Sequence, residues 1–404
     1  DNGHLTEAVG FMEQELAGIS EESDTPESAE VLANLSRAYI RTDQNERAVD
    51  TADRALKLAD RQNLERIVTE AFINKASSMH RLGRLREALA LHISAVDLAD
   101  RNGFVDLQLR GRNNLSVAQL ENEPMRALET VYEGIELARR LGQRGMFNWL
   151  AGTCAMYSGS IGKDWDRALQ LVDETLTSSP NGYDRARATL TRGLLLARRG
   201  VDLDRLVAEG KAAAEGINDG QIIGGIDYVR ADVALFQGRF ADSHQAALDA
   251  IAQWPDSEPF VLQPALHAAV ITGHLANAQL IKQRLDAYPS GTPVAVAARV
   301  WASAVVAALE GRPQESLRGL HEAHELFRQI GLNYDAATLV VDALLLFPGE
   351  PEVRAWVPDA RALFEGLGAQ PFLRLLDEAV AAAGDAAPAR ASARESASKA
   401  VTTA

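Results

Sequence analysis

The most informative feature of this 404-residue chain is a short segment, headed by an alanine, that recurs about every 40 residues. Four copies follow one another: NERAVDTADRAL at 45–56, GRLREALALHISAV at 83–96, EPMRALETVYEGI at 123–135 and DWDRALQLVDETL at 164–176. The leading alanines are 40, 39 and 41 residues apart: Ala48, Ala88, Ala127 and Ala168. A unit of this length cannot bury its own apolar face, so it is stabilised by stacking on its neighbours. The period therefore predicts a solenoid and directs the search for function to an extended binding surface.

The second copy indicates how one unit is built. An apolar pattern over 67–82 predicts a first helix, and Gly83 ends it. Residues 85–99 predict a second helix whose apolar stripe repeats every 3.6 residues. Ala88 and Ala95 lie on that stripe, at positions where two helices approach closely and only a small side chain fits. Each unit is thus expected to be a helical hairpin packed through its alanines.

The pattern changes along the chain. It weakens over 189–216, and the glycines of GINDGQIIGG predict a bend in the array: Gly216, Gly220, Gly224 and Gly225. It recovers over 233–255, 266–289 and 301–327, and a last helical group covers 334–383. Residues 384–404 are rich in Ala, Ser and Arg with almost no large apolar side chain, so they predict a disordered tail or linker. We therefore expect one solenoid over 1–383.

Composition favours an all-helical chain and excludes several functions. Apolar residues make up 47% and aromatic residues 6%, which favours closely packed helices over sheets. A net charge of −15 argues against direct nucleic-acid binding, because phosphate contacts need a basic footprint. No apolar run is long enough to span a membrane, and the single Cys154 excludes an internal disulfide. We expect a cytoplasmic protein, and the start at Asp1 without a methionine indicates an excised fragment or a processed chain.

The units resemble tetratricopeptide repeats. The small, Tyr, Gly, Ala and Pro positions of that family are matched by Ser36, Tyr39, Ala48 and Ala55 in the first unit, Gly83, Ala88 and Ala95 in the second, and Gly238, Ala250 and Pro255 in the sixth. The resemblance implies an all-α fold, a right-handed superhelical solenoid of about 8–10 helical hairpins. HEAT and armadillo arrays match the 40-residue length better, but they lack the Gly-then-Ala punctuation seen here.

A narrower resemblance covers most of the chain. Segments such as GRLREALALHISAVDLADRNG and RNNLSVAQLENEPMRALETVYEGIELARRLG look like the C-terminal helical region of bacterial AAA-type or STAND-type signalling ATPases. Those proteins carry an adenylate or guanylate cyclase domain or a LuxR-type DNA-binding domain. The resemblance implies a non-catalytic sensor and interaction region that controls an attached ATPase and output domain. The alternative is a stand-alone scaffold that binds a partner protein, and a further role in oligomerisation stays open.

Three features of the sequence partly match catalytic or ligand-binding sites. YSGSIGKDW at 157–165 departs from a phosphate-binding loop, because Tyr157 replaces its first Gly and Asp164 its final Ser or Thr. His321 and His324 are three apart on a predicted helix but lack the zinc-protease spacing and a third ligand. Cys154 has no recognisable catalytic partner. The sequence therefore predicts no enzyme, no metal site and no cofactor.

A set of asparagines, which we call the asparagine ladder, recurs with the 40-residue period of the repeat. Three asparagines stand on first helices, each just before a core position: Asn34, Asn74 and Asn114. In tetratricopeptide arrays the first helices line the concave face, where an Asn can both donate to and accept from a peptide backbone. Four arginines near the same face would add affinity for carboxylates or an acidic segment: Arg37, Arg41, Arg81 and Arg112. These residues predict a groove for a protein, a peptide or a small effector; the alternative is that they are solvated side chains in a periodic sequence.

Overall fold

The computed structural model describes residues 7–14, 25–178 and 182–382, and within them the chain is helical with no strand. The predicted tail at 384–404 lies outside the described residues. Successive antiparallel helices pack as hairpins, and each first helix in residues 25–161 begins about 40 residues after the previous one. The predicted all-α solenoid is confirmed. None of the described helices is both long and apolar enough to cross a lipid bilayer.

The chain divides into two compact units, residues 1–150 and 151–404, which we call unit 1 and unit 2. Helix α1 covers 7–14. The following helices are α2 (Pro26–Arg41), α3 (Asn45–Arg61), α4 (Glu65–Arg81), α5 (Leu85–Asn102), α6 (Val105–Leu120), α7 (Pro124–Arg140) and α8 (Arg144–Ile161), which passes from unit 1 into unit 2. In unit 1, α2, α4 and α6 are the first helices of hairpins, and α3, α5 and α7 are the second helices.

Unit 2 continues the hairpins and then departs from them. Its helices are α9 (Trp165–Ser178), α10 (Gly182–Arg199), α11 (Leu203–Ala213), α12 (Gly220–Phe236), α13 (Phe240–Gln253), the short α14 (Glu258–Val261), α15 (Gln263–Thr272), α16 (Leu275–Ala287), α17 (Pro293–Leu309), α18 (Pro313–Ile330), α19 (Asn333–Leu346), α20 (Pro351–Ala355), α21 (Val357–Leu367) and α22, whose described part covers 370–382. Helix α19 is buried all round rather than on one face, which marks it as an interior element.

The alanines that head the repeat pack the hairpins. Ala48, Ala88, Ala127 and Ala168 are all fully buried. Ala88 contacts Met79 of its own first helix and Val49 of the preceding hairpin, so it joins two units. The turn before it uses Gly83 in the left-handed region, with φ of 76°, a conformation that costs glycine little. The period and the hairpin architecture therefore have one cause, close helix contact at a small residue.

We expect Ala88→Phe to lower the free energy of unfolding of unit 1 by about 1–3 kcal/mol, because the larger ring has no space beside Met79 and Val49. Urea unfolding monitored by circular dichroism would measure the loss. Ala90→Phe is the matched control, since Ala90 is exposed on the same helix. Equal midpoints for the two variants would contradict the packing at Ala88.

The glycine cluster, for which the sequence predicts a bend, has a local packing role. Gly220, Gly224 and Gly225 lie within α12, and only Gly216 stands in a turn, with φ of 76°. A methyl group at Gly220 would come within 2.4 Å of the Gln253 carbonyl oxygen. Gly220 and Gly224 thus allow the backbones of α12 and α13 to approach closely, while a bend in the array stays a prediction.

Candidate binding surface

One side of the first helices of unit 1 carries mostly polar residues in the 40-residue register. We call this side, formed by α2, α4 and α6, the first-helix surface. Its equivalent positions are Glu30, Glu70 and Arg110; Asn34, Asn74 and Asn114; and Arg37, Ser77 and Val117. Bonds between neighbouring helices follow the same register: Arg66 forms a bidentate ion pair with Asp106, 2.6 and 3.0 Å, and Arg110 contacts Glu70 at 3.0 Å. The repeat therefore brings these side chains together on one face.

The asparagine ladder is divided between packing and exposure. Asn74 is fully buried; its amide nitrogen donates to the Ala33 carbonyl oxygen at 2.8 Å, and its oxygen accepts from Arg110. Asn114 is half-buried and donates to Ser77 Oγ at 3.0 Å. Asn34, on the first of these helices, is exposed. Two of the three predicted ligand-binding asparagines thus join neighbouring first helices, and Asn34 is left open to a partner.

The arginines of α2 give the surface a free positive charge. Arg37 and Arg41 are exposed and form no hydrogen bond or ion pair with the described residues. Arg37 lies close enough to Arg110 to affect it: burial, followed by repulsion from Arg37, lowers the pKa of Arg110 to about 10. Even so, Arg110 remains a cation at neutral pH. The surface therefore holds more positive charge around Arg37 than Glu70 neutralises.

Arg81 and Arg112 are placed differently from each other. Arg81 is exposed at the end of α4, 3.4 Å from Asp43 in the turn after α2. Arg112 turns away from the first-helix surface, contacts Asp100 of α5 at 2.7 Å and lies 3.8 Å from Glu133 of α7. It lines an open pocket of about 500 Å³ with residues of both signs: Asp100, Gln108, Glu133, Glu136, Leu137 and Arg140. The structure thus does not bring Arg112 together with Asn34 and Arg37.

The corresponding helices of unit 2 are covered. Arg198 of α10 donates to Asp232 of α12 at 3.1 Å and to the Tyr228 hydroxyl at 2.6 Å. The Arg198 guanidinium also lies over the ring of Tyr334 from α19, 4.7 Å from its centroid. Burial opposes the charge on Arg198, but Tyr228 and Asp232 outweigh it and raise its pKa above the usual value. The polar side chains that stay open in unit 1 are therefore used in unit 2 to hold an interior helix.

Helix α19 contributes two carboxylates to this interior. Gln263 of α15 donates to Asp335 at 3.0 Å, and His267, one turn further along α15, contacts Asp342 at 2.9 Å. Residues 334–344 are buried without interruption. The ring of Tyr334 also lies 5.4 Å from that of Trp165, at the start of α9. Helix α19 thus contacts both α15 and the start of α9.

The segment 157–165, His324 and Cys154 belong to packed parts of unit 2. In 157–165, residues up to Ile161 belong to α8, and a methyl group at Gly162 would come within 3.0 Å of the Tyr334 backbone nitrogen, so the turn is covered. His324 stacks on Trp356 at 4.3 Å, and burial lowers its pKa to about 4. Cys154 is fully buried near Ser158. The described residues include no cluster of three His, Cys, Asp or Glu side chains suited to a metal ion.

Comparisons with known proteins return structural neighbours of low sequence identity. The sequence matches no family model and no curated protein. The structure is similar to the Cut9–Hcn1 hetero-tetramer of the APC/C, with 13% identity over 88% of this chain and 72% of that chain and a TM-score of 0.41. It is also similar to yeast Tom70, with 12% identity, coverage of 96% and 93%, and a TM-score of 0.32. A circular tandem repeat protein gives 12% identity, coverage of 94% and 89%, and a TM-score of 0.24. Likeness at this level carries no functional inference.

Proposed function

We propose that the chain is a non-catalytic protein-interaction region and that the first-helix surface of unit 1 binds an acidic segment of a partner protein. The observation that carries this proposal is the pair Arg37 and Arg41, which are exposed and unpaired among the described residues. Arginines beside exposed amide groups suit carboxylates, which accept from both. Asn34, one turn from Arg37 on the same helix, supplies such an amide.

Charge supports the assignment of an acidic partner. The whole chain has a net charge of −15, so an acidic segment is repelled by most of its surface and attracted only where cations are concentrated. Arg37 and Arg41 supply such cations in the last two turns of α2, whereas Arg81 at the end of α4 is paired with Asp43. In unit 2 the equivalent helices are covered by α19, so unit 1 offers the accessible first-helix surface.

We expect Arg37→Glu/Arg41→Glu to weaken binding of a fluorescein-labelled hexaglutamate peptide by about tenfold or more, because two attractive charges become repulsive. Fluorescence anisotropy at low salt measures the affinity, which should also fall as salt is added. The matched control is Arg54→Glu/Arg86→Glu, the same charge change on the exposed sides of α3 and α5. Equal loss in both variants would indicate a non-specific charge effect and contradict the proposed surface.

Asn34→Ala separates ligand contact from packing. Asn34 is exposed, so Asn34→Ala should lower the affinity for the peptide without changing the melting temperature of the protein. Asn74→Ala is expected to destabilise unit 1, since it removes the bond to the Ala33 carbonyl and leaves that oxygen buried.

The sequence resemblance suggests two ways in which this surface meets its partner. An attached signalling ATPase with a cyclase or LuxR-type output domain would make this chain its sensor region; a stand-alone scaffold would bind a separate protein through the same surface. Photo-crosslinking from a benzophenone amino acid at position 34, compared with one at position 54, distinguishes the two. A crosslink within a longer polypeptide of the same gene supports the first setting, and a crosslink to another protein supports the second.

A further inference from the structure

The interior around α19 holds more acid than base. Three buried carboxylates lie on α19 or on a helix beside it: Asp335 and Asp342 on α19 itself, and Asp232 on α12. The cations available to them are the guanidinium of Arg198 and, when protonated, the imidazole of His267. Asp232 has Arg198 at 3.1 Å, and Asp342 has His267 at 2.9 Å. Even with His267 counted as a cation, three negative groups face two positive ones.

Asp335 is the carboxylate that has no cation of its own. Its hydrogen-bond partner is the neutral amide of Gln263, at 3.0 Å. The titratable groups that act on it from the surrounding helices are Arg198 of α10, Tyr228 and Asp232 of α12, and His267 of α15. On α21 and α22, the rings of Phe364 and Phe372 pack against its neighbour Tyr334. An ionised Asp335 is therefore poorly compensated, whereas a protonated one fits.

We infer that α19 is a proton-controlled latch: it stays docked on α10, α12 and α15 while Asp335 carries a proton, and its docking weakens when Asp335 ionises. Undocking returns Asp335 to water and removes an uncompensated charge from the interior. It also uncovers Arg198, Tyr228 and His267, the polar side chains of the first helices. The latch would thus convert a covered surface in unit 2 into one resembling the open surface of unit 1.

The working range of this latch lies near neutral pH. Burial raises the pKa of Asp335 to about 7, well above the ordinary value of 3.8 that it regains in water. The docked state then binds a proton that the undocked state releases, so docking is strongest at low pH and weakens as pH rises toward 7. Linkage between these two pKa values predicts that the docking equilibrium falls about tenfold from pH 6 to pH 8.

Hydrogen-exchange mass spectrometry on the full chain tests the latch. After correction for the pH dependence of intrinsic exchange, the protection of peptides from α19 should fall about tenfold between pH 6 and pH 8. Peptides from α17 should keep higher protection throughout. Asp335→Asn, which keeps an acceptor for Gln263 but cannot ionise, should remove the pH dependence. Asp286→Asn, on the exposed face of α16, should retain it.

Two kinds of exchange result would overturn the latch. The first is pH-dependent protection of α19 that persists in Asp335→Asn, or protection that does not change with pH in the unmodified chain. The second is equal protection of α17 and α19 at every pH, which would mean that the helix opens only by unfolding of the whole unit. Carbon-13 NMR of the aspartate carboxyl groups needs no variant: an Asp335 midpoint near 7 supports the inference, and one below 5 refutes it.

Discussion

Replacing Arg198 by methionine is expected to lower the free energy of unfolding of unit 2 by about 3–5 kcal/mol, the loss typical of breaking a buried ion pair from one side. The side chains of Arg198 and Asp232 are only 3% and 5% exposed. Methionine fills much of the volume but leaves Asp232 buried without its guanidinium and Tyr228 without its donor. The penalty comes from the remaining charge rather than from lost packing.

The double variant Arg198→Met/Asp232→Leu identifies that cause. Removing both charges should recover most of the stability lost in the single variant, because an apolar pair carries no desolvation cost. Urea unfolding, monitored by hydrogen exchange of peptides from α12, measures the loss of stability in unit 2 itself. A loss below about 1 kcal/mol in Arg198→Met, the range of an exposed ion pair, would show that water reaches this pair and would contradict the buried interior.

The hairpin architecture was predictable because its cause is local and periodic. The second helix contacts its neighbours through a small residue followed by an apolar stripe. This small residue is Ala48, Ala88 or Ala127, and the same contact recurs in each hairpin. The predicted helices at 67–82 and 85–99 correspond to the observed α4 and α5 within a few residues at their ends. Capping and turn geometry vary between units and set those ends.

The interior of unit 2 was not predictable from the same signal. The pair His267 and Asp342 is 75 residues apart, and this spacing is not a multiple of the repeat. Asp335 and Asp342 are acidic residues in a helix, a pattern typical of a solvent-facing side. Only tertiary structure shows that both point into a covered surface, because a period identifies which units stack and gives no information about which helix leaves the stack to fill the interior.

The candidate surface was predicted in part. The register that singled out the asparagines also contains Glu30, Glu70 and Arg110, and applying the same step to charged residues would have found the ion pair at the centre of the surface. What the step could not give is direction. Arg112 is two residues from Arg110, yet it faces α5 and α7, since each residue turns a helix by about 100° and two steps reach nearly the opposite side.

Acidification from pH 7 to pH 4 is expected to remove about 3 kcal/mol from the free energy of unfolding of unit 1 through His92 alone. His92 is only 1% exposed. Burial, with smaller contributions from His80 and Arg110, lowers its pKa from 6.5 to about 3. The unfolded chain therefore takes up a proton below pH 6.5 that the folded chain does not accept until about pH 3. Stability is consequently intact above 6.5 and lost progressively as pH falls through this window.

His92→Leu separates this effect from the carboxylates that titrate over the same range. Urea unfolding at pH 7 and pH 4, followed through peptides of α5, should show a loss about 3 kcal/mol smaller in His92→Leu than in the unmodified chain. His321→Gln is the control, because that imidazole is 59% exposed. If His92→Leu lost as much stability on acidification as the unmodified chain, His92 would have to be protonated in the folded state, and the tight packing of α5 would be wrong. On the expected result, acid acts in opposite directions on the two units. Unit 1 loses stability at low pH through His92, while the docking of α19 in unit 2 strengthens through Asp335.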